Sequence, residues 1–343
     1  MRILIATGIY PPAIGGPAQY AKGIEDAYRD MGYDVIIKTF GNVEKRLPAG
    51  LRHVYFALKS LRAYLKADKI IVLDTFSVAW PMAMLTAIFR RKFIIRTGGD
   101  FLWEAYVERT KKRVLLRDFY ITELQSDKEV SLTKKERFIF RMTKWILSKA
   151  DTIVFSTQWQ RDIWNHPYEI ALLQKFRNVK VKIVDNYIGE RHAPKVPKGK
   201  YFVASTRPLI WKNVDMLKSV FDDKEVIGAG ARLDTENVEH ERFLDKVASS
   251  YAVILVSLGD ISPNMILDAV QCGKPFICTI ECGLYDTLKG IGLWIDPLNK
   301  EEIKEAVLWL SQEMNYQDQC LKVAAFRKTH SWKQIAKELL GDK

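Results

Sequence analysis

Short apolar runs alternate with longer stretches in which apolar residues recur at helical spacing. In the first half the runs fall at 3–6, 35–39, 70–73, 93–95, 153–155 and 181–184. They are rich in Val and Ile and apolar at consecutive positions, as strands buried on both faces are. Such strands belong to parallel sheets covered by helices. The second half repeats the pattern at 201–204, 226–227, 253–256, 276–278 and 293–295. Between the halves, residues 192–200 (HAPKVPKGK) have the proline, glycine and lysine content of a linker. The pattern predicts an α/β chain of two doubly wound, Rossmann-like domains, over residues 1–192 and 193–330. Residues 331–343 close the chain as a helix, with Ser331 as N-cap and Trp332, Ile335, Leu339 and Leu340 as its apolar stripe. Ligands of such sheets bind at the carboxyl ends of the strands, and with two facing domains the cleft between them is the expected site.

Length and composition agree with this division. A chain of 343 residues exceeds one ordinary core. With 48% hydrophobic and 27% charged residues it is globular rather than disordered. No run approaches the roughly 18 apolar residues of a membrane span, and MRILIAT enters a strand pattern with no signal-peptide features. Cys272, Cys278, Cys282 and Cys320 form no CxxC and lack histidines at zinc spacing, so they read as reduced core thiols of a cytoplasmic protein.

Charge refines the picture. The net +12 resides in the first half: residues 1–192 carry 33 basic and 20 acidic side chains, residues 193–343 carry 20 and 21. An anionic partner of the N-terminal domain follows, such as a membrane surface, a lipid phosphate or a nucleic acid. Residues 86–149 hold 16 basic against 8 acidic side chains, interleaved with Phe, Leu and Trp, which suits contact with anionic lipid. No recognised nucleic-acid motif is present. Residues 51–67 place Leu51, Val54, Tyr55, Leu58, Leu61 and Leu65 on one helical face, predicting a surface helix that buries this face on the sheet.

Two loops carry candidate chemistry. After the first strand, Gly15 and Gly16 precede Pro17 at a helix start, and Gly32 fits the position after its end. Glycine permits close approach to the main chain, and free N–H groups at a helix start favour an anion or a sugar oxygen. The loop is not GxGxxG and no acidic residue ends the second strand, so a dinucleotide site is disfavoured. In the second half, Arg207 and Lys212 follow a strand end, before a helix that Asn213 can cap. Two cations there can neutralise a diphosphate that gains charge as a glycosidic C–O bond breaks. The segment SLGDISPNMILDAVQCGKPFI offers Ser262 as a helix cap, Pro263 in the first turn, Asn264 beside it and Gly273 as the stop. Asp260 precedes this helix; Asp268 lies inside it among apolar residues, where a carboxylate is costly without polar partners. Ribose hydroxyls are suitable partners.

Taken together these motifs resemble the GT-B-fold retaining glycosyltransferases of the family-4 type (glycosyl transferases group 1). The Gly15-Gly16 loop is similar to that family's glycine-rich loop, and Arg207 with Lys212 to its diphosphate-binding pair. Asp260-x7-Asp268, followed by Cys272-Gly273-Lys274-Pro275, resembles its Glu-x7-Glu motif with the trailing CGxP. The chain departs from the family in three places. Both acids are Asp; Arg96-Thr97-Gly98-Gly99-Asp100 stands where the family has a histidine; and residues 222–250 are short and lack its GxGP run.

The resemblance implies a front-face transfer, with retention, from a UDP- or GDP-sugar to a hydroxyl of a glycan or lipid-linked acceptor. It implies no metal and no cofactor beyond the nucleotide sugar, and a last helix that crosses back to the first domain. Arg207, Lys212 and Asp260 are the catalytic candidates. Gly15, Gly16, Ser262, Pro263, Asn264 and Asp268 are the donor-binding candidates. Asp74, Gly98, Gly99 and Asp100 lie past strand ends of the first domain, on the acceptor side. The expected setting is polysaccharide or glycolipid biosynthesis, by a cytoplasmic protein whose basic N-terminal domain touches the inner face of an anionic membrane. Two alternatives stay open: a non-catalytic sugar-nucleotide-binding protein of the same fold, which the Asp substitutions and the missing histidine motivate, and a sugar-nucleotide epimerase of related fold.

Overall fold

The structure, a computed structural model, describes the chain except at positions 14, 49, 124–131, 205–207, 237, 239, 342 and 343, and describes only the backbone at 122, 123, 240 and 241. The chain divides into two compact units, Met1–Leu102 with Ser131–Tyr187 and His330–Lys343, and Trp103–Val130 with Ile188–Thr329.

The first unit is built on a parallel sheet of six strands: β1 (Arg2–Thr7), β2 (Asp34–Thr39), β3 (Lys69–Val72), β4 (Ile94–Arg96), β5 (Thr152–Phe155) and β6 (Lys180–Ile183), in the order β2-β1-β3-β4-β5-β6. The consecutive apolar positions of β1, β3, β4 and β5 are buried because helices cover both faces, whereas the edge strands β2 and β6 stay partly open. The helix Gly16–Asp30 starts with a proline in its first turn and is followed by Gly32 at φ +80°.

The terminal helix Trp332–Leu340 packs on this unit. Ser331 and Gln334 form a capping box at its start. Ile335, Ala336 and Leu339 join the core beside Ile24 and Tyr28, and the Tyr28 hydroxyl donates to the Ala336 carbonyl at 3.0 Å. Trp332 stacks on Tyr187 at 4.8 Å and meets Tyr20 edge-on at 5.5 Å. Gly23 makes the room: a Cβ there would lie 2.3 Å from the Trp332 ring.

The helix Leu51–Lys66 corrects the reading of its sequence. Its buried residues are His53, Phe56, Ala57, Ser60, Ala63 and Tyr64, while Leu51, Val54, Tyr55, Leu58 and Leu65 face outward. Small side chains at 57, 60 and 63 allow close packing against the helix Ala79–Phe89, and Tyr64 reaches Thr86 with its hydroxyl at 2.9 Å. The leucine stripe therefore lies opposite the packed face.

The second unit carries a parallel sheet of five strands: β7 (Tyr201–Ala204), β8 (Arg232–Asp234), β9 (Ala252–Leu255), β10 (Phe276–Thr279) and β11 (Leu293–Ile295), in the order β11-β10-β9-β7-β8. One predicted strand is corrected. Val226 and Ile227 lie in the helix Lys224–Gly228, because the Asp223 carboxylate accepts the Glu225 N–H at 2.9 Å and starts a helical turn. The strand is the more polar β8, an edge strand that need not bury both faces.

The expected linker is packed on this unit. His192 N–H donates to the Gln271 carbonyl at 2.9 Å, and the buried Lys274 ammonium donates to the Lys195 carbonyl at 2.6 Å. Among the described residues no helix is long and apolar enough to cross a membrane.

Candidate functional site

In the second unit the loops after β7, β9 and β10 are tied together at the carboxyl edge of the sheet. Residues Ile210–Lys212 form a 3-10 turn, and Asn213 follows in the left-handed region at φ 54°. Asn213 occupies the N-cap position of the helix Val214–Phe221, but its side chain does not cap; it donates to the Pro297 carbonyl at 2.7 Å. Leu258 N–H donates to the Trp211 carbonyl at 2.8 Å, joining the first loop to the second. Asp260 N–H donates to the Glu281 carbonyl at 2.9 Å and Gly283 N–H to the Asp260 carbonyl at 3.0 Å, joining the second to the third.

This lacing brings Lys212 and Asp260 together. The Lys212 ammonium lies 2.6 Å from Asp260 Oδ2 and 4.2 Å from the centre of the Trp211 ring. Both side chains are largely buried, so their attraction is weakly screened and each group supplies the other's charge partner.

Residues 103–117 brace the same loops. Glu108 accepts the Ile210 N–H at 2.6 Å, Leu116 N–H donates to the Leu258 carbonyl at 3.1 Å, and Trp103 packs on Trp211 at 5.7 Å. Gly259 is where the two chains pass closest: a Cβ there would come within 2.5 Å of Leu116 Cβ. Arg117 pairs with the buried Glu281 at 3.1 Å, and burial raises the Glu281 carboxyl above its ordinary range. None of these residues was a candidate in the sequence, since their role rests on contacts more than 100 positions away.

The helix Asn264–Gln271 begins one residue later than expected. Pro263, not Ser262, sits at the N-cap, and it makes no side-chain cap hydrogen bond. Gly273 ends it at φ +65°. Ile266, Leu267, Ala269 and Val270 are buried, and the half-buried Asp268 lies among them. Its carboxylate has no hydrogen-bond partner among the described residues, and burial pushes it up to about 7. Ser257 Oγ, Asn213 Oδ1 and Glu281 Oε2, on the three laced loops, are also buried without a hydrogen-bond partner among the described residues. Arg207 lies outside the described residues. An open groove of about 500 Å³ beside β8, lined by Lys218, Phe221 and Arg232, contains none of the candidates.

In the first unit, Gly15 precedes the helix Gly16–Asp30 with φ 143°, a conformation that favours glycine. Asp74 is buried at the end of β3 and accepts N–H groups of Phe76, Val78 and Ala79 at 2.9–3.4 Å, which nucleates the helix Ala79–Phe89. Gly8 is required beside it, since a Cβ would lie 2.8 Å from Asp74 Oδ2. Past β4, the Gly98 carbonyl accepts from Gln160 Nε2 at 2.8 Å, and Gly99 leads to Asp100, whose carboxylate accepts the Trp164 indole N–H at 2.8 Å. Asp100 adjoins a void of about 10 Å³, room for about one water and not for a sugar. Arg96, where the resembled family has histidine, is buried against the Tyr20 ring at 3.7 Å and donates to Ser156 Oγ at 2.9 Å.

No protein-family model matches the chain, and no curated protein matches it in sequence. In structure it is similar to sucrose-phosphate synthase from Thermosynechococcus elongatus, with TM-score 0.69, 13% identity, and 98% of this chain and 97% of that one covered. It is also similar to the catalytic domain of starch synthase IV from Arabidopsis thaliana, solved with ADP and acarbose, with TM-score 0.64, 11% identity, and coverage of 98% and 97%. HepE of Anabaena, solved with UDP and glucose, matches with TM-score 0.64, 14% identity, and coverage of 98% and 94%. These are glycosyltransferases of the GT-B fold, and the chain has that fold.

Proposed function

We propose that the protein transfers a sugar from a nucleotide-diphosphate sugar to a hydroxyl of a glycan or lipid-linked acceptor. The reading rests on one observation above the others. On a GT-B fold, the helix Asn264–Gln271 carries a half-buried carboxylate, Asp268, that no described protein group satisfies. An ionised carboxylate there accepts two hydrogen bonds, which suits the vicinal hydroxyls of a ribose. In the laced loops of the same unit, the Lys212 ammonium stands over Trp211.

In the proposed reaction the bond between the anomeric carbon and the diphosphate oxygen breaks as the acceptor oxygen attacks from the same face. The diphosphate gains negative charge, and Lys212 with Arg207 stabilises it. The leaving phosphate oxygen takes the acceptor's proton; attack on the face from which the diphosphate departs retains the configuration, and no protein carboxylate attacks the sugar. Asp260 positions the Lys212 ammonium, which its 2.6 Å contact supports. The first turn of the helix Asn264–Gln271, with Ser262, Pro263 and Asn264, holds a sugar or phosphate oxygen, as does the Gly15-Gly16 loop. Gly98 and Gly99 present backbone on the acceptor side, where Asp74 and Asp100 anchor the loops. UDP and GDP are the proposed donor nucleotides, within the family-4 type, and no metal takes part. The protein works in the cytoplasm at the inner face of an anionic membrane.

A nucleotide-release assay over a panel of UDP- and GDP-sugars, with glycan and polyprenyl-phosphate acceptors, tests this. Acceptor-dependent release of the nucleotide is expected. Donor binding without release with any acceptor would instead make the chain a sugar-nucleotide-binding protein, and a changed sugar nucleotide formed from donor alone would make it an epimerase.

A further inference from the structure

The outward face of the helix Leu51–Lys66 is the feature that neither core nor donor chemistry explains. Leu51, Leu58 and Leu65 repeat every seven residues, which places them on one stripe of a helix about 24 Å long. Val54 widens the stripe on one side. Leu51 is 61% and Leu58 66% exposed. The stripe continues at its carboxyl end: the Arg91 guanidinium donates to the Leu65 and Ala67 carbonyls, which holds the end of the helix Ala79–Phe89 beside Leu65. There Ile88 is 68% exposed and Phe89 is exposed with it.

The charged residues of the same outward face are basic. Arg62 and Lys66 lie one helical turn apart along the leucine stripe, and Arg90 follows Phe89 at the adjoining helix end. All three are exposed, and none has an ion-pair partner among the described residues. Lys59 on the same helix is different, being held by Glu44 at 2.7 Å. A surface of this kind suits neither bulk water nor a purely apolar partner. Leucines aligned in one stripe beside uncompensated cations match the boundary between acyl chains and anionic headgroups.

We infer that this face is a docking surface for an anionic lipid bilayer, with Leu51, Leu58, Leu65 and Ile88 entering the acyl boundary and Arg62, Lys66 and Arg90 at the phosphates. The inference deepens the membrane-proximal setting proposed above and rests on it, but not on the transfer chemistry. The two are separated by experiment, because vesicle binding is read without turnover.

The test is co-sedimentation of the full chain with vesicles of phosphatidylcholine alone and with added phosphatidylglycerol, at low and high salt. Binding is expected only with the anionic lipid, weakening as salt screens the cations. Leu58→Glu with Leu65→Glu, both at outward positions, is expected to lower the partition coefficient at least about tenfold. Arg62→Glu with Lys66→Glu is expected to do so by a similar factor and to flatten the salt dependence. The thermal midpoint of each pair should match the wild type, and Leu321→Glu, exposed on the second unit, should leave binding unchanged. Three results would overturn the inference: no binding of the wild type to anionic vesicles at low salt, binding that the leucine pair does not alter, or a dimer in solution that the leucine pair dissociates, which would make a second copy the occupant.

Discussion

Lys212 Nζ lies 2.6 Å from Asp260 Oδ2, across 48 positions of sequence, and the backbone bonds that carry Asp260 continue to Glu281 and Gly283. The ammonium is thus aimed by a loop other than its own. Lys212→Ala is expected to lower kcat about 10²–10³-fold, the usual loss for a donor to developing charge, while nucleoside affinity changes far less. Asp260→Asn keeps a hydrogen-bond acceptor but removes its charge, so it should lower kcat by a smaller factor. Steady-state rates and nucleoside titration of both variants check this. Equal activity of Lys212→Ala and wild type would remove the site.

Asp268 gives a pH prediction with a definite sign. Its carboxyl is raised to about 7 by burial, above the unfolded value of about 3.9. Below about pH 4 both states are protonated and the group contributes nothing. Between about pH 4 and 7 the unfolded chain ionises first, so stability falls as pH rises, by an order of a few kcal/mol. Asp268→Asn should therefore be more stable than wild type at pH 8 and no more stable at pH 4, by urea unfolding.

Nucleotide binding should run the other way. The ionised Asp268 is the better acceptor for two hydroxyls, so affinity of the wild type for the nucleoside diphosphate is expected to rise with pH through about 7. Asp268→Asn should bind more weakly and lose that pH dependence. Calorimetric titrations at pH 6 and 8 distinguish the two.

Gly259→Ala probes the brace of the site. The added methyl would sit 2.5 Å from Leu116 Cβ. One chain must move, and overpacking of this kind costs about 1–3 kcal/mol. Because Leu258 and Asp260 flank this position, activity should fall beyond what the lost stability explains, measured at a temperature where the variant remains folded.

Chelation gives a further test. If Lys212 and Arg207 do the electrostatic work, donor turnover should persist in excess EDTA with no added metal. Loss of turnover on chelation, restored by magnesium or manganese, would refute the metal-free mechanism.

The sequence by itself determined the buried strands of the two sheets and several helix boundaries. Consecutive apolar positions in β1, β3, β5, β9 and β10 leave few alternatives to strands buried on both faces, and Ser331 and Gly273 mark helix boundaries by local backbone chemistry. Asp268 could be singled out because a carboxylate among apolar helical positions is anomalous whatever the fold. Tertiary structure decided what depends on partners distant in sequence. Periodicity shows that the helix Leu51–Lys66 has a leucine stripe, but not which side the sheet and the neighbouring helix cover; the small residues at 57, 60 and 63 settled that by permitting close approach. Lys212 and Asp260 could be seen separately, not as a pair, and the brace by residues 103–117 could not be seen at all. A local pattern fixes backbone conformation within a few residues, whereas an ion pair or a close approach at Gly259 exists only once two distant segments occupy neighbouring space.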